Sequence, residues 1–369
     1  MKLEAVELIR LNVPLKSAFR TSFSSVNVHQ VVWAHAITDV GEGWAECGAN
    51  ERPDYSSEYH TAAMDVMREF FIPDLMALGN DLTAESVAPT LFWAKGHRMA
   101  KAAIETAILD AQLRHANTSL GTYLGATKDR VPAGVSVGIM DSLEELHRFV
   151  AGYLADGYLR IKLKIEPGWD YAPVKMVREE FGDDLLLQVD ANTAYTRDDF
   201  DLLKRLDEFN LLLIEQPIFE EDILGHAKLA DYIDTPVCLD ESIISADIAR
   251  DAIQLGAAEI INIKPSRVGG YIESRKIHDV SVAHNIPVWC GGMLETGIGR
   301  AANLALAAMP GFTLPGDTSA SARYFEVDTT EPFVLQDGHL TVPTGPGIGI
   351  DPILEIVDRF AVSREWIKR

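Results

Sequence analysis

Five charged residues recur through the middle of this chain at nearly constant intervals. They are Lys164, Asp190, Glu215, Asp240 and Lys264, separated by 26, 25, 25 and 24 residues. Each closes a short apolar run: "RIKLK", "LLLQVD", "LLLIE", "PVCLD" and "EIINIK". Three acids brought to one place repel strongly unless a cation neutralises them. A donor set made only of carboxylate oxygens suits Mg²⁺, with Mn²⁺ a close substitute and Zn²⁺ a poorer one. Taken singly, each acid could instead end a strand and cap the next helix. The matched spacing of all three favours a shared metal site. Asn192 and Glu241 lie within two residues of these acids and are candidates to support them, as, more weakly, is Gln216.

The lysines suggest the reaction. Free lysine is a poor base because it is protonated at neutral pH, and partial burial or a nearby cation lowers its pKa toward a useful range. Lys162 is placed to be that cation for Lys164, since side chains two apart on a strand share a face, roughly 6.6 Å apart. The alternative is a solvated strand face. Two opposed lysines with a divalent ion between them suit removal of a proton from the carbon α to a carboxylate. The resulting enediolate carries negative charge that the ion stabilises as it develops.

Eight βα units would bring these residues together. From Val131 onward, short apolar runs alternate with amphipathic helical stretches: 131–139, 158–166, 185–192, 211–217, 236–242, 259–266, 287–293 and 312–319. Near-continuous apolar strands separated by helices indicate parallel strands covered by helices. Eight such units match a closed (β/α)₈ TIM-type barrel, in which active residues sit at the C-terminal ends of the strands. A doubly wound open sheet competes, but no GxGxxG follows the first strand. Residues 1–125 read as a separate α+β unit of early strands followed by helices, and 126–324 as the barrel. The turn-rich segment 325–369 is expected to pack back on the N-terminal unit.

The net charge of −22 argues against nucleic acid or an anionic membrane as partner. Cys47, Cys238 and Cys290 show no CxxC spacing and read as reduced, buried thiols of a cytoplasmic protein. The start "MKLEAVELIR" lacks the pattern of a signal peptide, and the most apolar run, Ala301 to Met309, is too short to span a bilayer. The histidines form no HExxH, and His226 and His284 read as surface or core residues. Asp317, at the end of the eighth run, could orient a neighbour.

The motifs "KLK", "D-x-N" at Asp190–Asn192, "EQP" at Glu215–Pro217, "DES" at Asp240–Ser242 and "KPSRVGG" at Lys264–Gly270 resemble the muconate-lactonising-enzyme subgroup of the enolase superfamily. Sites of that superfamily combine a lysine base with a divalent ion over an ene-diolate. "GGMLETGIGR" and "IKLKIEPGWD" look more specifically like the N-acylamino acid racemase/o-succinylbenzoate synthase family. The resemblance covers essentially the whole chain. It implies a homo-oligomer with an N-terminal capping domain, completed by the C-terminal segment, over a modified barrel whose first strand can run antiparallel. It also implies Mg²⁺ on Asp190, Glu215 and Asp240, acid/base roles for Lys164 and Lys264, and substrate contacts at Ser136, Lys162, Asn192, Met293 and Leu294. Capping loops around Lys16–Phe23 and Asn50–Ser57 would close over the acyl group, with Phe19, Phe23 and Tyr55 as candidates, although simple packing explains such aromatics equally well.

An arginine at the position of Arg267 accompanies racemase activity in this family. The expectation is therefore a racemase of N-acylamino acids, N-succinyl ones first, with o-succinylbenzoate synthase activity as companion or main role. A dipeptide epimerase would carry a D-x-D pair where this chain reads "LPGDTS". A muconate cycloisomerase and a non-catalytic barrel also compete with the racemase expectation.

Overall fold

The computed structural model describes all 369 residues. Its N-terminal part rests on an antiparallel meander of β1 (Leu3–Arg20), β2 (Ser25–Thr38) and β3 (Gly41–Cys47). The helix Arg98–His115 crosses this sheet with a face of small residues, among them Ala103, Ala107 and Ala111, all fully buried. Spacing by four places them on one stripe, so helix and sheet approach closely. At Gly43 a Cβ would sit 2.1 Å from the Ala107 carbonyl oxygen, so only glycine fits.

The first apolar run of the barrel region divides at Pro132. β4 (Arg130–Pro132) leaves the barrel and pairs antiparallel with β12 (His339–Thr341). Only β5 (Gly134–Val137) enters the barrel, where it runs parallel to β6 (Arg160–Lys164). The antiparallel first strand that the resemblance allows is therefore not found. The parallel sheet continues through β7 (Leu186–Asp190), β8 (Ile214–Glu215), β9 (Val237–Leu239), β10 (Ile260–Ile263) and β11 (Val288–Cys290). The eighth run forms no ladder. Single bridges from Phe312 to Val288 and from Gly316 to Ala133 close the circle. Inside, Leu213, Cys238, Ile260 and Trp289 form a small apolar cluster of their own.

After the barrel the chain returns through β12, and β13 (Ala361–Lys368) pairs antiparallel with β1, giving the sheet order β13-β1-β2-β3. No helix is long and apolar enough to cross a membrane.

Glu105, buried on the helix Arg98–His115, joins the two parts. Its carboxylate accepts the Ile272 N–H at 3.2 Å and so caps the barrel helix Tyr271–Ala283, whose own N-cap is Gly270. Burial pushes the Glu105 carboxyl up to about 8, against hydrogen bonds from Ile272 and Tyr271 that lower it. Between about pH 4.5 and 8 the folded protein keeps this proton while the unfolded chain releases it. The group's contribution to stability is therefore full at low pH and fades as pH rises through 8. Glu105→Gln keeps an acceptor for the helix cap and cannot titrate. Urea midpoints at pH 5 to 8 should show wild type losing stability relative to the variant as pH rises. A difference that is constant with pH would contradict this.

Candidate active site

The period-two alternation of β6 turns Ile161 and Leu163 toward the helices and Arg160, Lys162 and Lys164 into the barrel. Lys164 Nζ lies 2.6 Å from Asp190 Oδ2 and 2.6 Å from Asn192 Oδ1. Lys162 Nζ lies 2.6 Å from Asp317 Oδ2, 3.0 Å from Glu215 Oε2 and 3.2 Å from Asp190 Oδ2. Across the barrel, Lys264 Nζ is 2.7 Å from Asp240 Oδ2 and 2.9 Å from the Tyr55 hydroxyl, which itself donates to Asp240 at 3.0 Å. β7, β8 and β9 separate the two lysine-bearing walls.

The strand ends are locally strained. Gln216 and Leu294 have φ values of +38° and +62°, in the left-handed region that side chains other than Asn and Asp rarely adopt, and Asn192, at +44°, is a residue type that enters it readily. Such outliers gather where the surrounding fold holds a site in place. Gln216 turns its side chain back, accepting the Asp240 and Ser242 N–H groups at 3.0 and 3.1 Å, and so holds the β9 terminus. Arg267 does the same from the other side by donating to the Asp240 and Glu241 carbonyls. Asn192 donates to Glu241 Oε1 at 2.9 Å.

A cleft of about 640 Å³, open mouth included, lies over these groups. Its floor carries Lys162, Lys164, Asn192, Lys264 and Asp317, and its walls include Ser136, Met293 and Leu294. Phe19, Phe23 and Tyr55 reach over it from the N-terminal part. Phe19 also packs edge-on against Tyr324, and Phe23 lies 5.8 Å from Tyr55, so these aromatics pack and line the cleft at once. Ser136 Oγ is buried with no hydrogen-bond partner.

Sequence reading missed Ser24, Val26 and Tyr324, which also line the cleft, while Thr21, Asn50 and Gly292 lie within the two capping loops and the GGMLETGIGR motif without having been singled out. It missed Asn262 as well, which donates to Glu215 Oε1 at 2.7 Å. The signal for Asn262 was present, because it lies two residues before Lys264 and shares its face of the strand.

The lysine electrostatics differ from expectation. Lys162 is not a bare cation beside Lys164: burial alone would lower its pKa, but Asp317, Glu215 and Asp190 together raise it. Burial likewise opposes the Lys264 ammonium, and Asp240, Tyr55, Glu215 and Glu241 together outweigh it. Against burial, the lysines hold Asp190, Asp240 and Asp317 below the usual carboxylate range, and the two glutamates are the less satisfied acids. Burial and then Asp190 push Glu215 up to about 7, and burial and then Asp240 push Glu241 up to about 8.

In this structure the acids are bridged by ammonium groups and do not converge as a ready-made cage. Their chemistry fits a hard divalent cation nonetheless. The donors are carboxylate oxygens, Asp240 Oδ1 and Glu241 Oε2 are buried without a hydrogen-bond partner, and added positive charge would relieve Glu215.

Residues 5–125 match the mandelate racemase/muconate lactonizing enzyme N-terminal domain, and residues 145–356 match the enolase C-terminal domain-like family. The chain is 60% identical over 367 residues to an N-succinylamino acid racemase of an Amycolatopsis species, covering all of both. This chain belongs to the enolase superfamily, in its N-acylamino acid racemase/o-succinylbenzoate synthase family. It is an enzyme. It is 41% identical to the o-succinylbenzoate synthase of Bacillus subtilis, over 99% of this chain and 98% of that one. Among solved structures, an enolase-superfamily member from Listeria innocua superposes with a TM-score of 0.95 at 39% identity, covering 100% of this chain and 99% of the other.

Proposed function

We propose that this enolase-superfamily enzyme racemises N-acylamino acids, N-succinylamino acids first, through an enediolate. The observation that carries this reading is Lys164 and Lys264 lining one cleft from strands with three acid-bearing strands between them. The relative named N-succinylamino acid racemase supports the substrate class. One lysine takes the proton from Cα, and the C–H electron pair moves into the carboxylate. The opposite lysine delivers a proton to the other face, and the reverse passage converts the other enantiomer. Lys162 meets the charge that builds on the carboxylate, and Asn192 holds Lys164. Ser136 offers its free hydroxyl to the acyl group. Met293, Leu294, Phe19, Phe23 and Tyr55 enclose the rest of the substrate and exclude water.

Asp190, Glu215 and Asp240 would hold Mg²⁺, or Mn²⁺ in its place, with Glu241, Gln216 and Arg267 fixing their strand ends. When bound, the ion supplies positive charge to the carboxylate oxygens as the proton leaves. A second reading, o-succinylbenzoate synthase, shares the first step and then expels water. The relative of that name at 41% identity favours testing it on the same preparation.

Incubated in D₂O with Mg²⁺, both enantiomers of an N-succinylamino acid should lose their Cα–H signal in proton NMR. A chelator should abolish the exchange, and added Mg²⁺ or Mn²⁺ should restore it. Exchange of neither enantiomer across a panel of side chains would sink the racemase reading.

A further inference from the structure

Asp317 has no role in the mechanism above, yet both its carboxylate oxygens are held by buried cations. It is buried at the end of the run that closes the barrel, with its N–H on the Cys290 carbonyl at 2.9 Å. Its Oδ1 accepts from Arg160 Nη2 at 2.8 Å, and its Oδ2 lies 2.6 Å from Lys162 Nζ. Arg160 is fully buried and is itself pinned by the Pro315 carbonyl at 2.9 Å. Space for its guanidinium exists because residue 134 is glycine: a Cβ there would lie 2.4 Å from Arg160 Cζ. Trp289 forms the platform beneath, with Arg160 5.3 Å and Lys162 4.9 Å from its ring centre.

This arrangement assigns each oxygen of Asp317 one cation. Arg160 is enclosed and held by the Pro315 carbonyl, so its hydrogen bond to Oδ1 orients the Asp317 carboxylate with Oδ2 toward Lys162. The other two acids near Lys162, Asp190 and Glu215, are the ones proposed above to hold a metal ion, whose charge they would share. Asp317, through Oδ2, is the acid near Lys162 that is not proposed to hold the metal ion.

We propose that Asp317 is a positioning residue, held by Arg160, that sets the Lys162 ammonium where the substrate carboxylate meets it. The part concerning substrate rests on the proposed racemase reading; the placement of Lys162 does not. Aligned charge-assisted pairs fix a flexible lysine far better than a single exposed contact does.

A double-mutant cycle of Asp317→Asn and Lys162→Met tests the inference twice. The first readout is the urea midpoint, which needs no substrate. The two substitutions should be coupled by at least about tenfold in the unfolding equilibrium, and independent effects would overturn the placement. The second readout is α-proton exchange. Each single variant should lose about 30-fold in kcat/KM, the scale of losing a supporting partner, and the double variant should be no more than about threefold below Lys162→Met. Losses that multiply would mean that Asp317 acts only through the fold, and would overturn its role. If Asp317→Asn does not fold, Asp317→Glu keeps the charge but shifts it by one methylene. It should fold and still lose about tenfold, and full activity would overturn the proposal. Absence of exchange in wild type would sink the racemase reading alone, because the stability cycle would still decide the placement.

Discussion

Lys164→Ala should abolish racemisation while leaving the fold standing, with a fall in kcat of about 10³-fold or more, the upper range for loss of a positioned acid or base. Far-UV circular dichroism and the urea midpoint should stay near wild type, since Asp190 keeps Lys162 as a partner at 3.2 Å. Isotope exchange makes the test sharper. In the proposed mechanism Lys164 and Lys264 face the substrate carbon from opposite walls, so each serves one face. In D₂O, Lys164→Ala should still exchange the Cα proton of one enantiomer, and Lys264→Ala that of the other. Neither variant should interconvert them. Equal exchange of both enantiomers in either variant would mean that one base, or a mobile water, works both faces, and the two-wall assignment would have to be abandoned.

The largest effect on stability is expected at a residue far from the chemistry. Asp110, fully buried on the helix Arg98–His115, accepts the Trp44 N–H of β3 at 2.9 Å, the Ile348 N–H of the C-terminal segment at 2.7 Å and Arg114 Nε at 2.9 Å. Arg114 goes on to Asp351 Oδ1 and the Ile350 carbonyl, both at 2.7 Å. One carboxylate therefore ties strand, helix and tail. Asp110→Ala leaves two buried N–H groups and a guanidinium short of a partner. Breaking a buried pair of this kind costs about 3–5 kcal/mol. Asp110→Asn keeps one acceptor oxygen and should cost about half as much. Urea unfolding followed by tryptophan fluorescence measures both. A loss below about 1 kcal/mol for the alanine variant would show that the three segments are held by packing alone.

These two cases mark what the sequence can reveal. Lys164, Asp190, Glu215, Asp240 and Lys264 were legible because a barrel converts a repeat in sequence into a ring in space. The K-x-K pair was legible because a strand has period two. Asp110 was not legible, since an acid among alanines on a helix shows nothing of partners 66 and 238 residues away. The charge state of Lys162 was hidden for the same reason: its nearest counter-ion, Asp317, lies at the far end of the barrel region. The division of run 131–139 could have been suspected from Pro132, which suits an edge strand and lacks the N–H that an interior strand needs.

That division has a mechanical consequence. The chain passes between the N-terminal part and the barrel twice, once near β4 and once near β12, and these two strands are zipped to each other. The two passages therefore behave as one double-stranded hinge of three residue pairs. A domain held by a single strand can swing wide, but one held by a hydrogen-bonded ribbon can only tilt. On the proposed function, movement of the short loops at residues 20–24 and 50–57, which line the cleft, would admit substrate while the two large bodies stay in register. Lifting the 50–57 loop would also release the Lys264 ammonium from the Tyr55 hydroxyl that holds it at 2.9 Å.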